Sequence, residues 1–237
     1  MLCYQTRPTS RRTAHGITQP VYASVRAVLK TDGLESPYCV YNELVAARLA
    51  GLLRLPVATG VPTVQQGTLR YASLVAATPR SGIPMLAKWR APGAALHYPE
   101  DAAALVAFDV FIGNWDRGEN LKVNLDTRSR YFCAFDHSHA LLAVKDAPQD
   151  SIQALRSHQL LVSHHPFYGH VTAAALDAGV QRIRELPGKL VHEACCFGVP
   201  INTVDLGMQL ALADALLLRK SFLTHILSSQ RRTVIGI

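Results

Sequence analysis

The sequence predicts a two-lobed α+β fold, a small β-rich lobe followed by a mainly helical one. Three observations carry this. Up to about residue 76 the chain combines an alternating apolar run, one helix-period segment and one hairpin pattern. A cluster of helix breakers, Thr78-Pro-Arg-Ser-Gly-Ile-Pro84, then interrupts it. From about Asp150 onward the apolar spacing is helical. The expected organisation is a basic leader over 1–15, a first lobe over 16–78 and a second over 79–237, one structural unit overall.

The elements follow in order. Residues 1–15 are polar and arginine-rich and read as a loose leader. Val21, Ala23, Val25, Ala27 and Leu29 alternate, the pattern of one half-buried strand ending at Lys30, and Thr31-Asp32-Gly33 supplies a turn. Asn42 is a candidate cap for a helix to about Leu55, stopped by Pro56. Val61–Gln66 and Leu69–Ala76 flank Gly67 as a hairpin. Asp101 is a candidate cap for a helix through Ile112, followed by a loop over 113–120. Leu121–Leu125 and Tyr131–Phe135 read as a second hairpin, and Leu206–Leu227 as the longest helix.

At 237 residues, with 49% hydrophobic and 17% charged residues, the chain can bury a core without staples and is far from a disordered composition. Its net charge of +7 suits an anionic partner such as a nucleotide. The basic residues are scattered rather than clustered, which disfavours a dedicated nucleic-acid surface. Five cysteines without a C-x-x-C pair argue for free thiols and a cytoplasmic setting, and against a disulfide framework or zinc knuckle. No signal-peptide core opens the chain, and the apolar stretch Leu206–Leu218 is too short for a bilayer, so no membrane association is expected.

The chemistry concentrates in one pattern: a helix, a loop holding Asp116 and Asn120, a hairpin, then Asp136. Phosphoryl transfer needs an acid to orient the acceptor hydroxyl, oxygen ligands for magnesium and a cation on the phosphates. A hairpin between two aspartates carries the chain out and back, so the second returns beside the first. The bland alternative for each aspartate is a cap or turn residue. A competing cluster is rich in histidine: His137 and His139 lie two apart after a strand and could share a metal, with His158, His164 and His165 elsewhere. No serine sits in a Gly-x-Ser-x-Gly elbow, which argues against a serine hydrolase. Cys195-Cys196 read as buried helix cysteines.

The words around these residues narrow the choice. Phe108-Asp-Val-Phe-Ile-Gly-Asn-Trp-Asp-Arg117 followed by Phe135-Asp-His-Ser-His-Ala-Leu141 resembles the HipA-like kinases and, more distantly, phosphatidylinositol 3- and 4-kinases. Upstream, Gly16-Ile-Thr-Gln-Pro20, Lys30, Asn42-Glu-Leu-Val-Ala-Ala-Arg-Leu-Ala50 and Leu55-Pro-Val57 keep the same family order, so the resemblance covers residues 16 to 141. It implies a two-lobed kinase-like fold and ATP- and magnesium-dependent phosphorylation of a hydroxyl, with a protein serine or threonine as substrate. Lys30, Glu43 and Thr18 would serve the nucleotide. Asp116 would be the catalytic aspartate, with Arg117 bracing the loop or a phosphate. Asp136 and Asn120 would hold the metal. An antitoxin-like partner is a further implication. The alternative is a catalytically weak or inactive kinase-fold module that binds a nucleotide or partner.

Three departures from the family pattern bear on activity. Asn120 follows Asp116 by four positions where the family uses five, Gly118 replaces a histidine or lysine, and no Gly-rich phosphate loop is present. The short loop leads to the expectation that Gly118 adopts a positive φ and turns the Asn120 oxygen into the cleft.

Overall fold

A computed structural model of the chain describes residues 3–4, 6–12, 21–77, 83–125, 131–143 and 147–236. Two short strands, β1 (Cys3–Tyr4) and β2 (Thr6–Arg12), occupy the stretch expected to be a loose leader. They pair antiparallel with β7 (Ala76–Ala77) and β3 (Val21–Val25) respectively. An arginine-rich run has no apolar alternation to announce a strand; its partners lie elsewhere in the chain and supply the pairing.

The single strand expected over 21–30 is two, β3 and β4 (Ala27–Lys30), broken at Arg26. Residues 22–29 are exposed rather than half-buried, so the alternation does not mark a core face. β4 pairs with β6 (Thr68–Leu74), which also pairs with β5 (Gly60–Gln65), in the order β4-β6-β5. The β5–β6 turn is Gln66-Gly67 with φ of 52° and 77°, both left-handed, the backbone that a two-residue hairpin needs.

Helix α1 (Cys39–Leu52) lies across this sheet. It begins before Asn42, which is a buried interior residue and not its cap. The capping group is Asp32, whose Oδ1 accepts from the Val40 amide at 2.8 Å. The helix stops at Leu52, short of the expected Leu55, and Arg54 turns the chain out with φ 53°. Residues 56–58 then run beside the second hairpin: the Ala134 amide donates to the Pro56 carbonyl and the Ala58 amide to the Ala134 carbonyl, both at 2.8 Å. The segment thus joins the lobes through one carbonyl and one amide; Pro56, which has no amide to donate, supplies the carbonyl.

The second lobe contains α2 (Ala91–His97), α3 (Pro99–Ile112), the hairpin β8 (Leu121–Asn124) and β9 (Tyr131–Ala134), α4 (Pro148–Arg156), α5 (Ala173–Glu185), α6 (Gly188–Cys195), α7 (Leu206–Ser229) and α8 (Arg231–Ile235). Asp101 sits in the first turn of α3, where the helix dipole favours it; Tyr98 takes the cap position. Asp205 caps α7, accepting from the Met208 amide at 2.8 Å. Every residue of α3 from Ala102 to Ile112 is buried, because α2, α5 and α7 pack around it. Each fully buried Leu, Ile or Phe there contributes about 1.5–3 kcal/mol. No helix among the described residues is long and apolar enough to cross a membrane. The breaker cluster at 78–84 lies mostly outside the described residues, as do Asp126–Arg130.

Arg219 of α7 is fully buried with no carboxylate beside it. It donates to the carbonyls of Val110, Leu155, Ser157 and Gln159, which gather at the ends of α3 and α4. The Val110 and Leu155 carbonyls lie at helix C-termini and the other two in the loop after α4, so the guanidinium joins α7 to the ends of α3 and α4 by charge-assisted hydrogen bonds. Replacing Arg219 with methionine keeps the volume and orphans the carbonyls. A loss of about 3 kcal/mol is expected in urea unfolding; a loss below about 0.5 kcal/mol would show that water replaces the guanidinium.

Candidate active site

The site is assembled around one buried carboxylate. Asp109 lies on the last turn of α3 and is completely buried. Its Oδ1 accepts from Asn114 Nδ2 (3.0 Å) and Arg117 Nη2 (2.9 Å), and its Oδ2 from Arg117 Nε (2.7 Å) and His165 Nε2 (3.1 Å). Gly113, with φ 68°, ends the helix in the left-handed conformation and lets the following loop fold back over Asp109. Burial opposes the charge of Asp109, but Arg117 and His165 outweigh it and hold the carboxyl far below its usual range. Asp109 has no expected role from the motif that contains it; an aspartate inside an otherwise apolar helix is the signal in the sequence that marks it.

For Arg117 the sequence leaves two roles open, the loop or a phosphate. Arg117 is 0% exposed, and its remaining donors go to the carbonyls of Asn120 (3.2 Å) and Phe135 (2.6 Å) and to His137 Nε2 (2.8 Å). No N–H remains for a phosphate, so Arg117 positions the loop and contacts no reacting atom. It ties the loop to the exit of the β8–β9 hairpin. The same tie is made by the Phe135 amide donating to the Asn120 carbonyl at 3.1 Å.

Asp136 leaves that hairpin with φ 59°, a left-handed conformation that costs a non-glycine residue about 1–2 kcal/mol. The turn aims its carboxylate at Lys30 of β4: Lys30 Nζ lies 2.7 Å from Asp136 Oδ1 and 2.5 Å from Glu43 Oε1. Glu43 is buried on α1 and also accepts from the His137 amide at 2.8 Å. Lys30 is therefore shared between the first lobe and the hairpin of the second. Burial opposes its charge, yet the two carboxylates raise its pKa. Burial likewise opposes Asp136, and Lys30 with the Ser138 donors lowers it well below the carboxylate range. Asn42, missed as a site residue, anchors the next segment: its side chain donates to the Ser138 and Leu142 carbonyls, both at 2.9 Å.

Asp116 is half exposed at the loop, 47% by side chain. His139 Nδ1 lies 3.2 Å from its Oδ2 without hydrogen-bond alignment, and the His139 ring stacks on Trp115 at 5.1 Å. Beside Asp116 is a groove of about 450 Å³ whose walls include Lys88, Trp115, His164 and Tyr168. Asn120 donates from Nδ2 to the Asp116 carbonyl at 2.8 Å. Its amide oxygen and Asp136 Oδ2 have no protein partner among the described residues. Two such hard oxygens fit magnesium, which takes one or two protein ligands and completes its shell with phosphates and water. Gly118 does not have a positive φ, contrary to expectation; the left-handed residues flanking the loop are Gly113 and Asp136.

The histidine pair does not form a metal site. His137 is buried and accepts from Arg117, whereas His139 faces Asp116. Among the described residues no group of three or more His, Cys, Asp or Glu converges on a metal position. Thr18 lies outside the described residues. Cys195 is buried at the end of α6, as expected, and Cys196 follows it half-buried.

Burial and Arg117 depress the pKa of His137 to about 3, so it is neutral in the folded state at neutral pH. Its unfolded pKa is about 6.5. The unfolded chain therefore binds the extra proton first, and stability falls as pH drops from about 6.5 toward 3. The slope is about 1.4 kcal/mol per pH unit for this one histidine. Urea unfolding between pH 7 and 5 should show that loss, and His137→Gln should flatten it. A slope identical in both proteins would remove His137 as its source.

No family model matches the sequence, and no curated protein matches it. Solved structures do. A Helicobacter pylori proinflammatory kinase, CtkA, aligns with a TM-score of 0.57 at 12% identity, covering 94% of this chain and 97% of that one. HipA of Shewanella oneidensis MR-1, solved with HipB and operator DNA, aligns with a TM-score of 0.56 at 13% identity, covering 94% of this chain and 65% of HipA. This chain thus spans slightly under two thirds of the HipA chain. At these identities the likeness speaks to architecture: the chain has the two-lobed α+β fold of the HipA-like kinases.

Proposed function

We propose that the chain is an ATP- and magnesium-dependent phosphotransferase acting on a hydroxyl, with a protein serine or threonine as acceptor. The observation that carries this is Lys30 held between Glu43 and Asp136 while the Asp116 loop is bonded to the same hairpin exit. Lys30 orients the nucleotide phosphates. Bound magnesium at Asp136 and Asn120 would neutralise charge developing on the transferred group. The acceptor hydroxyl lies in the groove beside Asp116, which orients it and takes its proton. The acceptor oxygen bonds to the γ-phosphorus as the bond to the β–γ bridging oxygen breaks, and ADP leaves. A cytoplasmic location and an antitoxin-like protein partner belong to the same proposal; the HipA neighbour was solved with HipB.

One observation favours a second reading, a weak or inactive kinase-fold binding module. The carboxylates of Asp116 and Asp136 already face cationic or titratable neighbours, His139 and Lys30. Exchange of these contacts for substrate is what an active enzyme requires.

Nucleotide titration calorimetry with and without magnesium tests the metal assignment. Wild type should bind more tightly with magnesium, and Asp136→Ala should lose that difference. At about 100 times its dissociation constant the nucleotide should stabilise wild type by about 2.7 kcal/mol. Equal binding with and without magnesium in both proteins contradicts the assignment.

Asp116→Asn should bind nucleotide normally and lose about 10²–10⁴-fold in transfer rate. Turnover equal to wild type would falsify the role of Asp116; nucleotide binding without turnover in wild type selects the binding module.

A further inference from the structure

Against α1 lies a mainly apolar groove of about 890 Å³, half open to solvent. Its walls come from α1, the β5–β6 hairpin and residues 197–201, among them Leu44, Leu55, Tyr71, Phe197 and Ile201. The volume is within the range of about 300–1,000 Å³ typical of small-molecule sites. No acidic side chain lines it; the charged groups are Arg48 and Arg54. The Arg48 guanidinium lies 3.8 Å over the Phe197 ring, and its Nη1 donates to the Glu193 carbonyl at 3.0 Å. That holds the side chain in place and leaves donors unused. The Arg54 side chain has no partner among the described residues. A mainly apolar groove whose charges are two exposed arginines complements a ligand with an apolar body and one anionic head.

We propose that this cavity binds a small amphiphilic carboxylate and that its occupancy regulates the Lys30–Glu43 pair. A peptide strand is a poorer fit, because β5, the edge strand facing the cavity, carries Pro62, which lacks an amide to pair. The regulatory half rests on the nucleotide role of Lys30 proposed above. Its path is short. Tyr71 is a wall of the cavity and the cross-strand partner of Lys30. Leu44, another wall, follows Glu43 on α1. The Tyr71 ring lies across β5 at Gly60, where an added Cβ would come within 2.1 Å of its Cζ. An occupant therefore presses on side chains that already flank the pair and cannot yield toward β5.

The test uses 8-anilinonaphthalene-1-sulfonate, a fluorescent apolar anion, with dodecanoate as competitor. One site per chain is expected, emptied of the dye by dodecanoate and about tenfold or more less well by dodecylammonium. Gly51→Phe is the blocking variant. Gly51 lines the cavity, an added Cβ there meets nothing within 4 Å, and a helical glycine is a poor helix former, so the variant should fold and lose dodecanoate binding. The double variant Arg48→Gln, Arg54→Gln should weaken dodecanoate by about tenfold or more. Dodecanoate should also shift the magnesium–nucleotide dissociation constant by about fivefold or more in wild type and not in Gly51→Phe. Unaltered dodecanoate binding by Gly51→Phe, equal binding of the cation, or displacement by a Leu/Glu peptide but not by dodecanoate would overturn the site. A wild type that binds dodecanoate and shows no nucleotide shift overturns the regulation alone. A wild type that binds no nucleotide at all defeats the proposed function, and with it the regulation, while the cavity stands on the dye measurement.

Discussion

The buried ion pair of Asp109 and Arg117 is the constraint from which the site is built. Taking two charges out of water costs several kcal/mol per ion, and their attraction repays it only when every remaining donor and acceptor is satisfied. Here they are: the five guanidinium N–H groups meet both Asp109 oxygens, two carbonyls and one imidazole. Asp109 accepts twice more, from Asn114 and His165. Arg117 donates to His137 Nε2, so that imidazole keeps its proton on Nδ1; His165 accepts the Phe167 amide at Nδ1, so its proton is on Nε2. His137, one of the two histidines that could share a metal in the sequence, is thus held together with His165 in a structural network.

From that pair the network reaches the cleft in few steps. His137 packs its ring edge on Phe108 and presents its own amide to Glu43, which holds Lys30, which holds Asp136. The two lobes are thus connected by charge as well as by the pairing of residues 56–58 with β9. A lysine between two carboxylates, one from each lobe, settles at a position set by both. Movement of α1 would change what Lys30 could offer the phosphates of the proposed nucleotide.

Much of this was legible in the sequence, for reasons that can be named. The β-rich first lobe, the helix before the Asp116 loop, the hairpin after it and the long last helix each have local periodicity or turn chemistry. The convergence of Lys30, Glu43 and Asp136 could be expected because a hairpin returns the chain and because a resemblance ordered the motifs. What was not legible depends on partners far away in the chain. Thr6–Arg12 form a strand because β3 is there, not because of their own pattern. Asn42 stands at a plausible cap position, but the segment it secures lies about a hundred positions later. For Arg117 the choice between bracing the loop and bracing a phosphate stays open until Asp109, on the last turn of α3, is seen to face it.

The short loop shows how a deletion is absorbed. A chain with one residue fewer between Asp116 and its asparagine must change direction more sharply somewhere. Gly118, the residue with least steric restriction, sits at the middle and was the natural candidate. The loop interior is fixed instead: the Asn120 amide donates to the Arg117 carbonyl at 2.9 Å, and the Asn120 side chain holds the Asp116 carbonyl. With both of these bonds and Arg117 itself anchored to Asp109, a flip at Gly118 would break contacts that the buried charge requires. The sharp changes of direction therefore fall where the framework ends, at Gly113 on entry and at Asp136 beyond the hairpin. At Asp136 the left-handed turn has a chemical consequence, since it directs one carboxylate oxygen to Lys30 and leaves the other without a protein partner among the described residues. The residue that turns left-handed beyond the hairpin is also the one whose carboxylate the proposed metal would need.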